Sequence, residues 1–389
     1  MPSKEQSRKT ILILSTEPWG KMLLSKMHYA IELAGLGNDV YFVNPPREGA
    51  GKQLASISAV KPQEGVTVID TQPVAQALFL RHKLFPLYRS WVTGRYIKAI
   101  RRLVQKPIDE VWCFDPHTYV DLTGFGARRS VLLLYDFYTG RHVFKAAETA
   151  DAIVSVSSVI LDHYRSATPP RLLMQHGLGK HFAAIAEEKL QRRHFPLQQG
   201  EKMKIGYTGN LLRVGMNIDL GKAIITGHPE IEFHFWGPYS SEGNNVSIGE
   251  AAAELLSFVE YLKAQPNVRL HGMKEQSVLA TALSEMDAFL FLYSPAKDLN
   301  GASNSHKLLE YLSTGKPVIS TYVSNYEGTG LLEMGRREDE PLLNALFDEV
   351  THNLALYNSP ERQQQRIQFA LDNTYRRQVV RIREFIGTV

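Results

Sequence analysis

One cysteine, Cys113, stands in 389 residues. A single thiol excludes an intramolecular disulfide framework and any C-x-x-C metal site, and it suits a reducing compartment. Long apolar runs are missing too; none approaches the roughly 20 residues of a membrane span. The opening MPSKEQSRKT leads into an apolar stretch too short for a secretory signal core. The expectation is a soluble or peripherally attached cytoplasmic protein. Neither a G-K-[ST] phosphate loop nor a G-x-G-x-x-G fingerprint occurs, and H-E-x-x-H is absent. His117, His142, His163, His176 and His181 lie scattered without compact ligand spacing, so no metal site is expected. A net charge of +4 is compatible with a phosphate-bearing ligand or an anionic surface. No nucleic-acid recognition module accompanies the charge, and no nucleic-acid partner is expected.

What is present is material for cores, with 44% hydrophobic and 22% charged residues. The length favours two domains of roughly 180 residues each. ILILS (11–15), DVYFVNPP (39–46), VTVID (66–70), EVWCF (110–114), SVLLLYD (130–136) and AIVSVS (152–157) read as buried strands. SKMHYAIELAGLG (25–37) reads as a helix with Met27, Ala30, Ile31 and Ala34 on one face. Continuous apolar strands separated by helices predict a doubly wound parallel sheet. A charged stretch, 186–202, marks a composition shift, after which the rhythm restarts with MKIGYTG, IEFHFWG, VRLHG, DAFLFLY and PVIST. The predicted division is 1–185, 201–358 and a helical tail, 359–389.

Ligands of open α/β sheets collect where strands end and helices begin. Downstream of the strand ending near Tyr293, Ser303, Asn304 or Ser305 is placed to cap a helix carrying Lys307 and Glu310. Its free N–H groups and Lys307 suit phosphate oxygens. Glu310, three residues on, suits a ribose diol. Capping plus a solvated ion pair explains the same pattern. Gly209 follows another strand and permits close backbone approach, while Asn210 and Arg213 offer donors. Trp19 and Gly20, after the first strand, form either a cover over an acceptor or ordinary packing. Asp115, His117 and Asp136 follow strands in the first half and can act as a base. Asp115 can equally cap a turn, and Asp136 can orient a loop. Residues 81–103 interleave cations with aromatics, which fits contact with an anionic membrane or a coated soluble helix. Phe85-Pro86 and Gly94 are expected to interrupt any continuous helix there.

SNSHKLLEYLSTGKPVIST, with ILILSTEPWGKMLLSKMHYAIELAGLGNDVYFVNPP, YDFYTG, AETADAIVSVSSVILDHY and LLMQHGLGKHF in order, resembles GT-B glycosyltransferases of the broad family 4-like group. That group includes enzymes of bacterial surface-polysaccharide synthesis. The resemblance covers essentially the whole chain. It implies two Rossmann-like α/β domains facing across a cleft, with the last helices crossing back. It implies a nucleotide-sugar donor, UDP-linked by default, on the second domain and a saccharide or lipid-linked acceptor on the first. Carried over by position, Glu310 holds the ribose, while Lys307, Asn304 and Ser305 lie near the diphosphate. Gly209 and Arg213 fall in the phosphate-contacting loop. No cofactor beyond the donor and no metal is implied. Many retaining members carry a second glutamate eight positions earlier, and here that position is Ala302. The stereochemistry therefore stays open: either the sugar is held otherwise, or the enzyme inverts with Asp115, Asp136 or His117 as base. A non-hydrolysing nucleotide-sugar epimerase and a non-catalytic GT-B-like interaction protein are the alternatives.

Overall fold

The structure, a computed structural model, describes residues 8–20, 23–48, 53–61, 65–74, 85–193, 195, 201–212, 215–240, 252–294 and 304–388. The chain divides into two compact units, Met1–Gln175 with Tyr375–Val389, and His176–Thr374.

The first unit is built on eight strands: β1 (Thr10–Leu14), β2 (Asp39–Pro46), β3 (Ala55–Lys61), β4 (Val66–Thr71), β5 (Glu110–Cys113), β6 (Arg129–Leu134), β7 (Ala152–Ser155) and β8 (Arg171–Leu173). Their order is β3-β4-β2-β1-β5-β6-β7-β8, parallel except for β3 against β4. Ile11 to Leu14 are wholly buried, because helices cover both faces of this central strand. On one face Tyr375, Val379, Ile382 and Ile386 of the helix Tyr375–Thr388 join Met27, Tyr29, Ala30 and Leu33 of the helix Ser25–Gly35. The buried side of that earlier helix is thus turned toward Leu33 instead of Ile31 and Ala34. On the other face Tyr96, Ile97 and Ile100 pack from the helix Phe85–Val104.

The helix Phe85–Val104 corrects the expected interruption. Pro86 sits at its first turn, where an N–H has no intrahelical acceptor and its loss costs nothing. Gly94 falls on its exposed side and costs only propensity.

The second unit carries β9 (Lys204–Thr208), β10 (Glu232–Trp236), β11 (Val268–Gly272), β12 (Ala288–Phe291), β13 (Val318–Ser320) and β14 (Glu333–Met334). The order β11-β10-β9-β12-β13-β14 is all parallel and reverses direction between β9 and β12. The corresponding reversal in the first sheet lies between β1 and β5. Both are topological switch points, where open sheets bind ligands.

The division falls ten residues before the predicted one. Lys180–Arg192 is a helix whose Phe182, Ala183 and Ala186 enter the second unit's core, so its charges are a solvated face and not a linker. The tail also splits. Pro360–Leu371 stays with the second unit, and Tyr375–Thr388 belongs to the first, where Arg383 reaches the buried Glu110 at 3.0 Å. No helix among the described residues is long and apolar enough to cross a membrane.

Candidate active site

In the second unit the helix His306–Ser313 is the next element after β12 and leads into β13. Leu308, Leu309, Tyr311 and Leu312 are buried, which turns Lys307 and Glu310 away from the core. Tyr311 fixes its depth: the ring stacks on Phe289 at 4.4 Å, and the hydroxyl accepts from the Thr208 backbone N–H at 2.6 Å. Gly315 closes the helix, its N–H bonding the Leu312 carbonyl. Ser305 occupies the N-cap position, yet its side chain makes no capping bond.

Lys307 and Glu310 do not pair. Lys307 Nζ donates to the Tyr293 hydroxyl at 3.1 Å and lies over that ring. A Cβ on Gly209 would sit 2.7 Å from the same ammonium, so the backbone after β9 comes directly under the lysine. Among the described residues no hydrogen bond or ion pair engages the Glu310 carboxyl. Burial raises its pKa to about 7 against the pull of Lys307. Asn304 is buried, and the imidazole of His176 is hydrogen-bonded to its backbone. Asn210 uses its side-chain oxygen locally, accepting from Leu212 N–H at 2.9 Å. Arg213, Ala302 and Ser303 lie outside the described residues.

The first unit gathers a second polar group at the ends of β1, β5 and β6. Lys26 Nζ is paired with Glu17 and bonded to Thr16 at 2.5 Å. Burial lowers its pKa to about 8, opposed by the carboxylates of Asp136 and Asp115. Asp115 is 4% exposed and accepts from the backbone N–H groups of His117 and Thr118 at 3.1 and 3.0 Å. That is the turn-capping role, and burial raises its pKa. Asp136 is exposed and accepts from the Tyr138 hydroxyl at 3.3 Å. The His117 ring meets Tyr138 edge to face at 4.9 Å. Trp19 packs edge-on against Phe42 at 4.9 Å, the ordinary-packing alternative. Asp136, Asp115 and His117 are thus brought together in one unit, and Gly209, Asn304, Ser305, Lys307 and Glu310 in the other. Tyr293, Tyr311, His176, Lys26 and Tyr138 escaped sequence reasoning; only the position of Tyr293 and His176 at strand ends hinted at them. Among the described residues no three His, Cys, Asp or Glu side chains form a group that could hold a metal ion.

Two doubly wound units with these switch points make the GT-B fold, and solved structures share it along the whole chain. One, described as trehalose-6-phosphate from E. coli bound with UDP-2-fluoro glucose, matches with a TM-score of 0.68 at 11% identity, covering 98% of this chain and 99% of the other. A sucrose-phosphate synthase from Thermosynechococcus elongatus matches at 0.67 and 12%, covering 98% and 99%. Anabaena HepE in complex with UDP and glucose matches at 0.64 and 14%, covering 98% and 100%. At such identities the likeness shows the fold alone. No family model matches the chain, and no curated protein matches it in sequence.

Proposed function

We propose that the protein is a glycosyltransferase of the family 4-like kind. It moves a sugar from a nucleotide-sugar donor, UDP-linked, to a saccharide or lipid-linked saccharide in cell-surface polysaccharide or glycolipid synthesis. The observation that carries this reading is Glu310. It is a half-buried carboxyl with no protein partner among the described residues, one turn inside a helix whose N-terminus carries Lys307. A carboxylate at that depth accepts hydrogen bonds from the ribose diol, while helix N–H groups and Lys307 receive the diphosphate. As the anomeric carbon gains positive character, those same donors stabilise the negative charge growing on the leaving nucleotide. The acceptor side is assigned to the first unit, with Asp136 and His117 as candidate bases. Asp115 is better read as the cap that orients the turn bearing His117.

A lipid-linked acceptor suits the helix Phe85–Val104, where Leu87 is 70% and Trp91 51% exposed and Arg95 lies over the Trp91 ring. Aromatics with flanking cations on one helix fit the interface of an anionic bilayer. In this reading the enzyme works at the cytoplasmic face of the membrane. Binding to anionic vesicles that is no stronger than to neutral ones would count against this acceptor class.

The test of the donor site is calorimetric titration with UDP-glucose and GDP-sugars. Removing a hydrogen bond to a charged group costs about 1.5–3 kcal/mol, so Glu310→Ala and Lys307→Ala should each weaken donor binding by roughly 10- to 100-fold. Saturable binding that neither substitution alters would overturn the placement.

A further inference from the structure

We propose that His117 and His142 form a hydrogen-bonded imidazole pair that relays the acceptor's proton to water, with His142 as the positioning residue behind His117. This rests on the assignment of the first unit to the acceptor.

The pair follows from topology. β5 and β6 are neighbours, His117 follows β5, and His142 opens the helix Arg141–Glu148 that follows β6. Nδ1 of His117 lies 2.8 Å from Nε2 of His142, with ring centres 5.0 Å apart. At that separation one nitrogen carries the hydrogen and the other accepts it. His117 Nε2 and His142 Nδ1 remain as the two outer ends of the pair.

Each ring is held from behind. Asp115 fixes the His117 backbone N–H, and Arg89 donates to the His117 carbonyl at 2.6 Å. Tyr138 walls the His117 ring. A Cβ on Gly140 would lie 3.0 Å from the His142 ring, so that imidazole rests on bare backbone. The charged and titratable groups facing the pair are Asp115, Arg89 and Tyr138, with Asp136 behind the Tyr138 hydroxyl. Burial lowers the pKa of His117, with Asp115 opposing and Arg89 assisting. Burial, Arg89 and His117 bring His142 down to about 4. Neutral imidazoles at neutral pH are what a proton acceptor needs.

The step balances as follows. The acceptor oxygen forms its bond to the anomeric carbon, and the nucleotide diphosphate leaves with the electron pair of the old bond. The acceptor's proton passes to His117 Nε2. The hydrogen on His117 Nδ1 moves to His142 Nε2, and His142 releases its Nδ1 hydrogen to water. Both rings exchange tautomers, and the reverse shift through water restores them.

The first experiment is a pH titration of 15N-histidine-labelled wild type, His117→Gln and His142→Gln by long-range proton–nitrogen spectra, with circular dichroism to check folding. The expected result is one donor and one acceptor nitrogen between the rings, and a His142 midpoint that rises in His117→Gln. Imidazoles that titrate identically with and without each other overturn the pair. The second experiment follows UDP release from UDP-glucose with glucose as acceptor. A positioned proton acceptor contributes about 10²–10⁴-fold, so loss of the residue behind it, His142→Gln, should lower kcat by roughly ten-fold or more, leave KM for UDP-glucose unchanged, and displace the acid limb of the pH profile. An unaltered kcat and acid limb overturn the relay. If the wild type releases no UDP from UDP-glucose with glucose while the rings stay coupled, that choice of substrates fails and the pair stands; uncoupled rings overturn the pair and leave the transferase reading to the donor titration.

Discussion

Acidification should weaken the second unit through one buried imidazole. His176 is 8% exposed, and burial brings its pKa from 6.5 to about 4, although a hydrogen bond to the Asn304 backbone works the other way. At neutral pH the ring is uncharged in both the folded and unfolded chain, so it adds nothing to pH dependence there. Below pH 6.5 the unfolded state takes up a proton that the folded state refuses. Stability therefore falls with pH, and the loss is complete once the folded ring also protonates, below about 4. A shift of this size is worth about 2 kcal/mol near pH 5 and about 3 kcal/mol near pH 4. The assay is urea unfolding of wild type and His176→Gln across pH 7 to 4, followed by Trp236 fluorescence in variants lacking the other tryptophans. The difference between the two proteins cancels other groups, including His142. Glutamine keeps a donor for Asn304 but cannot charge, so its curve should be flatter by that amount. Parallel curves would refute the reasoning. Because His176 holds the approach to the helix bearing Lys307, donor binding should weaken over the same range.

Glu310 titrates in the opposite sense. Its folded pKa, about 7, lies above the ordinary 4.5, so ionisation between these values costs stability as pH rises, while donor affinity should increase as the carboxylate forms. Calorimetry with UDP-glucose at pH 6 and 8 checks this, and Glu310→Gln should abolish the difference. Arg366, 1% exposed, donates to Glu333 at 2.7 Å and to the carbonyls of Gly315, Leu331 and Tyr357. Arg366→Leu removes the donor to the three carbonyls and leaves Glu333 only Arg362 at 3.5 Å, which should cost about 3–5 kcal/mol, read by denaturant unfolding. Gly237 has φ +131°, and a Cβ there would lie 1.9 Å from the Gly209 carbonyl oxygen. Gly237→Ala should destabilise the unit by at least about 1–3 kcal/mol and displace the backbone under Lys307, seen as a lower melting temperature and weaker donor binding. Gly94→Ala meets nothing within 4 Å and should stabilise the first unit by about 1 kcal/mol; a fall in melting temperature would show that the helix Phe85–Val104 is wrongly assigned.

Most of the strands legible in the sequence are largely buried, because covering helices force continuous apolar runs. Two strands escaped, and the three-residue β8, exposed at both ends, does not show as such a run. β3 is an antiparallel edge with an alternating pattern, and β14 spans only Glu333–Met334. The charged stretch after residue 185 misled for a physical reason. Glu187, Glu188 and Arg192 are the wet side of a helix whose dry side is Phe182 and Ala186, and composition averages the two faces. Pro86 and Gly94 misled similarly: proline is costly only beyond the first turn, where Pro86 does not lie, and Gly94 is on the exposed side and costs only propensity.

The Lys307–Glu310 spacing was readable, but its consequence was not. Two opposite charges three residues apart on an exposed helix would pair for a few tenths of a kcal/mol. Tyr293, fourteen positions upstream and two residues past the end of β12, takes the ammonium instead. Glu310 then loses its nearest cation as a direct partner while keeping the cost of burial, which is why its pKa rises. Such an uncompensated carboxyl is a penalty to the folded chain. A ligand that brings hydroxyl donors removes it on binding, so the cost that weakens the empty site becomes affinity for a diol. The same logic applies to His117: its partner His142 is twenty-five residues away in sequence, and only the adjacency of β5 and β6 brings the rings to 2.8 Å.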